Sequence, residues 1–264
     1  MLPLGDFPLA ARRAVKGVFC DIDDTLTTGG QLTAGAYAAM ERLGRAGLLV
    51  VPITGRPAGW CDHIARMWPA AAVVGENGAF YFRYDRVRRV MRRTFADEAA
   101  TRARNRGRLE AIAAEIVRSV PGCAVAADQP YRETDLAIDY REDVAPLGRE
   151  AVDRIVALMR ARGLTAKVSS IHVNGWFGAY DKLAMTRTLM REAFGVDLEQ
   201  ERGAYVFVGD SPNDAPMFAF FPHSVGVANV RAFAGQLAEE PKYVTHAPAG
   251  AGFCEVVDCI VAAR

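Results

Sequence analysis

Three acidic residues, Asp21, Asp23 and Asp24, lie within four positions directly after residues 15–20, an apolar run that is typical of a buried strand. Like charges that are packed together repel one another and resist removal from water, so the cluster contributes little to folding. A cation among the carboxylates explains the cluster, and a division of the carboxylates into a nucleophile and an acid/base explains it better. The segment therefore predicts a catalytic site at the end of this strand.

Two later segments repeat this order of apolar strand, polar cluster and helix. The first is Thr54-Gly55-Arg56, which follows the apolar run 49–53. The second follows the apolar run 206–208 and contains Asp210, Ser211, Asn213 and Asp214. Because the carboxyl ends of parallel strands meet at one edge of a sheet, where open α/β sheets bind ligands, we expect the three clusters to converge.

The acidic residues at this predicted edge suit phosphate chemistry with a divalent cation. The carboxylates of Asp21, Asp210 and Asp214 offer hard oxygen ligands, which suit Mg²⁺ and not a soft metal. A carboxylate nucleophile beside Mg²⁺, with the carboxylate of Asp23 two residues further on, is typical of phosphoryl transfer through an aspartyl-phosphate.

Two other segments can hold the phosphate group. The Thr54 hydroxyl and the close backbone approach that Gly55 allows can bind phosphate oxygens. Lys182 begins a predicted helix, where a cation opposes the helix dipole at a cost of roughly a few tenths of a kcal/mol. Pairing with a phosphate and with the Asp21 carboxylate offsets that cost, so we expect Lys182 to belong to the same site.

Short apolar runs alternate with helical patterns at both ends of the chain, which predicts an α/β fold with a parallel sheet covered on both faces. The predicted core strands are 15–20, 48–53, 71–74, 204–208, 225–227 and 243–244, and the predicted core helices are 33–46, 58–67 and 182–194. The middle of the chain predicts helices at 108–120 and 147–162 and strands at 134–140, 165–168 and 171–173. We therefore expect a Rossmann-like core from residues 1–83 and 179–264, with an α+β cap domain inserted at 84–178.

Composition and charge argue against several classes of protein. The chain has 264 residues, of which 51% are hydrophobic, so it can bury the cores of two domains. Its net charge of +1 gives no argument for nucleic acid or a membrane surface, and no apolar run reaches the length of a membrane span. Five scattered cysteines without a Cys-x-x-Cys pair indicate neither a zinc site nor a disulfide framework. With no secretory signal visible, we expect a cytoplasmic protein.

The motifs resemble, in the same order, those of the haloacid dehalogenase (HAD) superfamily of phosphohydrolases. Asp21-x-Asp23-x-Thr25 is similar to the first motif, Thr54-Gly55-Arg56 to the second, Lys182 to the third and Gly209-Asp210-Ser211-x-Asn213-Asp214 to the fourth. The match covers the whole chain, and Glu76-Asn77-Gly78-Ala79 resembles the sequence after the third core strand of the sugar-phosphatase branch. The insert between the second and third motifs resembles the type IIB cap of Cof-like, sucrose-phosphate, trehalose-phosphate and mannosyl-3-phosphoglycerate phosphatases.

The resemblance implies a Mg²⁺-dependent phosphatase that acts on a sugar phosphate or a related small metabolite. In this interpretation Asp21 attacks phosphorus, and Asp23 protonates the leaving oxygen and then activates water while its backbone carbonyl binds Mg²⁺. The resemblance implies that the phosphoryl group is held by Thr54, Gly55, Arg56 and Lys182. It implies metal ligation by Asp21, Asp23, Asp210 and Asp214, with Ser211 and Asn213 in support.

Residues of the cap are candidates for choosing the substrate. The segment 169–176, which ends shortly before Lys182, is polar and aromatic and contains His172 and Asn174. In related caps the strand near this point faces the active site. We therefore expect Arg132, His172 and Asn174 to contribute to substrate specificity.

Two alternative functions stay open at this point. A sugar phosphomutase of the phosphomannomutase type shares the core and the cap type, and passes its phosphoryl group to a sugar. A non-catalytic binding protein could use the segment 83–108, with ten arginines and three acids, to contact nucleic acid or protein. The near-neutral net charge favours a solvated face whose arginines pair with scattered acids. Asp24 is expected to be a solvated or capping group, and the oligomeric state is not readable.

Overall fold

The computed structural model describes residues 1–169 and 171–264; Ser170, in the polar segment 169–176, lies outside the described residues. The strands are β1 (Leu2–Pro3), β2 (Gly17–Cys20), β3 (Thr27–Thr28), β4 (Gln31–Leu32), β5 (Leu49–Pro52), β6 (Val73–Gly75), β7 (Phe80–Asp85), β8 (Val90–Phe95), β9 (Ala124–Val125), β10 (Leu136–Asp139), β11 (Thr165–Val168), β12 (His172–Trp176), β13 (Tyr205–Gly209), β14 (His223–Gly226) and β15 (Tyr243–Val244). The α-helices are α1 (Leu9–Ala14), α2 (Ala34–Arg45), α3 (Ala58–Met67), α4 (Ala99–Ser119), α5 (Arg149–Ala161), α6 (Lys182–Leu189), α7 (Leu198–Glu201), α8 (Ala215–Phe220) and α9 (Ala249–Val261).

The central sheet has six strands in the order β1-β15-β14-β13-β2-β5, and all neighbouring strands run parallel. Phe19 of β2 lies opposite Phe207 of β13 and Val51 of β5. Strands β2 and β13 are buried throughout, as the near-continuous apolar runs of a parallel sheet require. The predicted α/β fold class with a parallel core sheet is confirmed.

Side chains alternate along β2 and divide the core into two hydrophobic layers. Val18 and Cys20 pack with residues of α2, α3 and α9, whereas Phe19 packs on the opposite face with residues of α6 and α8. Strands β5, β2 and β13 are neighbours in the sheet and run in the same direction. Their carboxyl ends therefore lie side by side, and the three polar clusters that follow them are brought to one edge.

The predicted core strand 71–74 corresponds to β6, but β6 joins an antiparallel sheet with β7 and β8 and not the parallel sheet, and β7 and β8 were not predicted. The hairpin of β7 and β8 carries many of the arginines, which obscured its aromatic alternation. Phe80, Phe82 and Phe95 of this hairpin pack against the core cluster that contains Val18. Helix α4 also begins nine residues before the predicted start at 108, because its first turns carry arginines and no apolar face.

Strands β11, β12, β10 and β9 form, in that order, a separate antiparallel sheet. One face packs against α4 and α5, where Ile116, Ile138 and Ile155 belong to a third hydrophobic cluster. This α+β arrangement lies in the middle of the chain, where the cap was predicted, and the domain division at 84 and 178 stays a prediction. In the described part of the chain, no helix combines the length and the apolar character that a membrane crossing requires.

Candidate active site

Asp21 stands at the carboxyl end of β2 and is held by the strand beside it and by a lysine. Its backbone N–H donates to the Val208 carbonyl at 2.9 Å, which continues the pairing of β2 with β13. The Nζ of Lys182 donates to Asp21 Oδ1 and to Asp214 Oδ1, each at 2.8 Å. All three side chains are buried, so residues from three distant parts of the sequence meet at this strand end.

The segment after β13 supplies two further carboxylates. The backbone N–H of Asp210 donates to Asp214 Oδ2 at 3.1 Å, which fixes the two aspartates relative to each other. A side chain at Gly209 would put its Cβ 2.5 Å from that same Asp214 oxygen, so glycine is required there. The Asp210 carboxylate accepts hydrogen bonds from Thr25 Oγ1 and Asn229 Nδ2, both at 3.2 Å.

These carboxylates fit a hard divalent cation. Oxygens of Asp21, Asp210 and Asp214 lie within 4.8 Å of one another, and all three residues are buried. Burial raises the pKa of Asp21 to about 7, although Lys182 opposes the shift. Burial and the neighbouring Asp214 and Asp21 raise the pKa of Asp210 well above its usual range. Three carboxylates against one lysine leave an excess of negative charge that a cation can balance.

The Thr54-Gly55-Arg56 turn lies beside Asp21, after β5. The Thr54 N–H donates to the Val74 carbonyl at 2.9 Å, and Thr54 Oγ1 accepts from the Arg56 N–H at 3.0 Å. A Cβ on Gly55 would lie 3.2 Å from the Asn77 amide, so the two turns are in close contact. The turn is thus rigidly placed at the edge of the sheet.

The Arg56 guanidinium lies on Asp23, whereas the sequence assigned it to the phosphate group. Nε and Nη2 donate to the Asp23 carboxylate at 3.1 and 2.9 Å, and Nη2 also donates to Glu142 Oε1 at 3.0 Å. The ring of Trp60 covers the guanidinium at 4.5 Å. The neighbouring Asp23 and Glu142 carboxylates raise the pKa of Arg56 against the effect of its burial. The assignment of Arg56 to phosphate binding stays a prediction.

Glu142 was not found from the sequence, because a single acid in a loop after β10 carries no motif. Its Oε2 lies 2.9 Å from His172 Nε2, so it connects this predicted cap residue to Arg56. The hydrogen bond with His172 and the charge of Arg56 lower the pKa of Glu142 to about 2. The acid therefore stays ionised between the Arg56 guanidinium and the His172 imidazole.

Arg132 and Asn174, the other predicted specificity residues, are buried in an ion-pair cluster. Arg132 donates to both carboxylate oxygens of Asp128 at 3.0 Å and to Asp135 at 3.0 and 3.1 Å. Asn174 Nδ2 donates to Asp135 at 2.9 Å. Arg132 Nη1 also donates to the Gly55 carbonyl at 3.0 Å, so this cluster reaches the phosphate-binding turn.

The turn Glu76–Gly78 connects three segments of the fold. Glu76 accepts hydrogen bonds from the backbone N–H groups of Ala58, Glu133 and Thr134, which ties β6 to α3 and to the segment before β10. Gly78 has a φ of 106°, and a Cβ there would lie 2.0 Å from the Asp181 carbonyl. Glycine at 78 therefore lets α6 bring Lys182 to the site.

The remaining predicted residues line one small cleft. Ser211 Oγ donates to Asn213 Oδ1 at 2.7 Å at the start of the turn that carries Asp214. The cleft is lined by Asp21, Asp23, Gly55, Arg56, Asn77, Arg132, Ser169, Ile171, His172, Asn174, Asp210, Ser211 and Asn213. Asp24 is half-buried, has a left-handed φ of 56° and does not line this cleft.

The arginine-rich segment makes contacts that fit a solvated structural face. Arg93 Nη2 lies 2.7 Å from Asp62 Oδ1, on the exposed side of the hairpin. The Arg102 guanidinium lies 3.7 Å over the ring of Phe95. These two arginines contact residues of the same chain, and the solvated-face interpretation of the segment stays a prediction.

Comparisons with known proteins support the fold. Neither a protein-family model nor a curated protein matches the sequence. Among solved structures, the chain is similar to a HAD/COF-like hydrolase from Plasmodium vivax, with 15% identity, a TM-score of 0.69 and coverage of 97% of this chain and 100% of the other. The sucrose-phosphatase of Synechocystis has 15% identity and a TM-score of 0.63, with coverage of 93% and 98%.

A HAD subclass IIB sugar phosphatase, BT4131, has 15% identity and a TM-score of 0.60, with coverage of 88% of this chain and 93% of the other. At these identities the likeness shows the fold. The chain therefore has the HAD-like fold that its motifs predicted, over nearly its whole length.

Proposed function

We propose that this protein is a Mg²⁺-dependent phosphatase that hydrolyses a phosphate monoester through an aspartyl-phosphate on Asp21. The observation that carries the proposal is the state of the Asp21 carboxylate. Its Oδ1 is held by Lys182 at 2.8 Å, whereas no hydrogen bond from the described residues reaches its Oδ2. A buried carboxylate with one oxygen fixed and the other unbound is oriented for attack on a phosphorus atom beside it.

Asp23 is the proposed acid/base. Its carboxylate is 26% exposed in the cleft, so it can reach the leaving oxygen and then a water molecule. The hydrogen bonds from Nε and Nη2 of Arg56 fix its orientation. Asp23 donates a proton to the leaving oxygen in the first step and accepts one from water in the second.

Lys182 and the Thr54-Gly55-Arg56 turn are proposed to hold the phosphoryl group. Lys182 places its charge between Asp21 and Asp214, next to the oxygen that attacks. Fixed positive charge and fixed backbone donors stabilise the negative charge that develops on the phosphoryl oxygens. The Arg56 guanidinium acts in this proposal through Asp23, and its backbone N–H belongs to the turn.

The residues that would hold Mg²⁺ are Asp21, Asp210 and Asp214, together with the backbone carbonyl of Asp23. When bound, the cation would neutralise negative charge on these carboxylates and on the phosphoryl group. Thr25 and Asn229 keep the Asp210 carboxylate in place by the hydrogen bonds already described. The chain's own contribution is thus a rigid set of hard oxygens with an excess of negative charge.

The middle domain is proposed to be a type IIB cap that closes over the site. The cleft around Asp21 encloses about 30 Å³, which is the space of about one water molecule and not of a substrate. Several polar contacts join the cap to the core in this closed state. Arg132 donates to the Gly55 carbonyl, Arg56 donates to Glu142, and the N–H groups of Glu133 and Thr134 donate to Glu76. Opening must break them, and closure excludes water from the attack on phosphorus.

A sugar phosphate or a related small metabolite is the proposed substrate class. The cleft is lined by amide, hydroxyl and charged groups, which suit hydroxylated molecules. Solved structures of the same fold are named as a sucrose-phosphatase and a sugar phosphatase, which supports this class. A phosphomutase would instead require a sugar as phosphoryl acceptor.

The test is phosphate release by the purified protein over sugar phosphates, phosphoglycerates and nucleotides, with Mg²⁺ and after chelation. We expect release from at least one sugar phosphate with water as the only acceptor, and loss of release when the cation is removed. Turnover that appears only when a sugar acceptor is added would favour the mutase. No release from any monoester in the presence of Mg²⁺ contradicts the proposal.

A further inference from the structure

A groove along α3 lies apart from the cleft around Asp21. It consists of two adjoining cavities, one of about 370 Å³ and one of about 540 Å³. Gly59 and Tyr131 line both cavities, so the cavities meet at these residues. Among the described residues, Arg132 alone lines both the groove and the cleft, and its side chain is only 1% exposed. The groove is therefore a space distinct from the proposed active site.

The smaller cavity carries three arginines that aromatic rings and helix spacing hold in place. The Arg93 guanidinium lies over the ring of Phe82 at 5.4 Å, and that of Arg102 lies over the ring of Phe95 at 3.7 Å. Arg106 follows Arg102 by four residues, so their side chains lie on the same face of α4. Guanidinium groups that are already fixed bind an oxyanion at a reduced cost in side-chain entropy.

The charges of this cavity favour an anion. Arg102 donates to the backbone carbonyl of Asp97 at 2.8 Å and forms no ion pair with a carboxylate of the described residues. The other two arginines pair with Asp62 and Glu133, and Asp62 is shared with Arg66. A half-buried guanidinium without a counter-ion is unfavourable, so a bound anion would stabilise it. The cavity therefore suits a phosphate group.

The larger cavity is aromatic. It is lined by Gly59, Trp60, His63, Ile64, Trp68 and Tyr131, and no acid, lysine or arginine of the described residues lines it. The side chains of Trp60 and Tyr131 are 43% and 60% exposed. Exposed aromatic side chains that gather in a concave site mark a binding site, and their faces stack on planar rings. The cavity therefore suits a planar heterocycle.

Tyr131 lies between the two cavities. A Cβ on Gly59 would lie 2.9 Å from the Cβ of Tyr131, so glycine at this position lets the tyrosine pack on α3. A ligand that fills the groove therefore needs a planar ring on one side of Tyr131 and an anionic group on the other. Both volumes lie in the range of about 300–1,000 Å³ that small-molecule sites occupy.

We propose that this groove is a binding site for a nucleoside diphosphate. The phosphates lie at Arg102 and its two neighbouring arginines, and the base stacks against Trp60 and Tyr131. An inorganic phosphate or a sugar phosphate would leave the aromatic cavity empty, and a free base would leave the Arg102 charge without an anion. The inference does not depend on the proposed phosphatase function, because none of the proposed catalytic residues lines the groove.

The experiment titrates ADP into the purified protein in the presence of a chelator, by isothermal titration calorimetry. Chelation stops metal-dependent turnover, and the excess of carboxylates around Asp21 disfavours ADP at that site. We expect saturable binding of one ADP per protein. Ribose 5-phosphate, which lacks the base, and adenosine, which lacks the phosphates, should each bind at least about tenfold more weakly.

Two variants test the two halves of the groove. Arg102→Met should raise the Kd for ADP about tenfold or more, the effect of losing one charge-assisted hydrogen bond. Tyr131→Ala should raise it about fivefold or more, because one stacking ring is lost. Arg104→Met is the matched control, since it removes the same charge from the same helix at a position that does not line the groove, and it should leave the Kd unchanged. Arg102→Met should also keep kcat/KM for acetyl phosphate within about twofold of wild type.

Three results would overturn the nucleotide site. They are no saturable binding at millimolar ADP, equal affinity for ADP and ribose 5-phosphate, and a Kd that is unchanged in Arg102→Met and Tyr131→Ala or raised as much in Arg104→Met. Circular dichroism shows whether each variant is folded, and if Arg102→Met or Tyr131→Ala fails to fold, the other decides. Phosphate release from sugar phosphates with Mg²⁺ is measured separately, so failure of the nucleotide site and failure of the phosphatase are distinguishable.

Discussion

Asp21 in the core and Asp135 in the middle domain are both buried aspartates beside a buried cation, but their carboxylate oxygens accept different numbers of hydrogen bonds. Asp135 accepts hydrogen bonds from Arg132 on both oxygens and a further one from Asn174. Asp21 accepts one hydrogen bond, from Lys182, on one oxygen. A fully hydrogen-bonded carboxylate stabilises a structure, whereas a carboxylate oxygen that lines a cleft without a donor is available to a substrate.

Burial raises the pKa of the carboxylate in both regions, since the pKa of Asp135 is raised as well, and the regions differ in how many cations stand against the carboxylates. In the core site, burial raises the pKa values of Asp21 and Asp210, because the carboxylates outnumber the one lysine. Where the middle domain meets the core, Glu142 lies between His172 and Arg56, and its pKa is lowered. The core therefore holds the excess negative charge that a cation and a phosphoryl group can use, while Glu142 acts as a link between domains.

The largest expected effect comes from removing the unbound oxygen of Asp21. Asp21→Asn should lower phosphate release by at least about 10⁴-fold, a size typical of losing a nucleophile. Asp24→Asn is the matched control three positions away, and asparagine tolerates its left-handed backbone. The control should change kcat/KM by less than about twofold. Equal activity in the two variants would contradict the proposal that Asp21, and not Asp24, is the nucleophile.

Lys182→Met should lower the free energy of unfolding by about 4 kcal/mol, because it leaves two buried carboxylates without their cation. Urea denaturation of the metal-free protein measures this change. Combining Lys182→Met with Asp21→Asn should recover part of the loss, because one of the uncompensated charges is gone. Additive losses in the double variant would show that Asp21 and Lys182 do not interact.

Arg132→Leu tests the ion-pair cluster of the middle domain. It should cost about 3 kcal/mol of stability, since Asp128 and Asp135 lose their buried partner. With acetyl phosphate as substrate, it should also raise KM by a larger factor than it lowers kcat. The hydrogen bond to the Gly55 carbonyl is lost, whereas the contacts of Asp21 are kept. A loss of kcat as large as that of Asp21→Asn would show that Arg132 takes a direct part in the reaction and does not only stabilise the structure.

Glu142→Gln should have the smallest effect, and it should depend on pH. The folded pKa of Glu142 is about 2 and its usual value is 4.5, so the stabilising contribution is present above about pH 4.5 and is lost as pH falls toward 2. Because the side chain is 31% exposed, solvent screening reduces the contribution to about 1–2 kcal/mol. Denaturation of wild type and variant from pH 7 to pH 3 measures the difference. If the difference in the free energy of unfolding between wild type and variant stays constant over this pH range, the ion pair of Glu142 is not its cause.

The three polar clusters after β2, β5 and β13 could be predicted because each follows an apolar strand, and parallel strands bring their carboxyl ends together. Side-chain partners across domains could not be predicted in this way. The Arg56 guanidinium lies on Asp23 because Glu142 approaches from a loop after β10, and nothing in the sequence marks that loop. Asn229, which holds Asp210, lies in a 3₁₀ turn without a motif.

The β7–β8 hairpin was missed for a different reason. Its arginines stack on aromatic rings, as Arg93 does over Phe82, so a charged segment is fixed to the core by its rings. Apolar periodicity cannot detect such a strand pair, because the charged side chains hide the alternation. Long, strongly apolar elements could therefore be predicted, and elements held by cation–π contacts could not.

The central claim is that Asp21 becomes phosphorylated during turnover. The most direct measurement is acid quenching of the protein during turnover of a sugar phosphate or acetyl phosphate with Mg²⁺, followed by mass spectrometry of its peptides. The account predicts one added phosphoryl group on the peptide that contains Asp21, and none on that peptide in Asp21→Asn. Steady turnover with no phosphorylated peptide at any quench time, or with the phosphoryl group on a different residue, would contradict it.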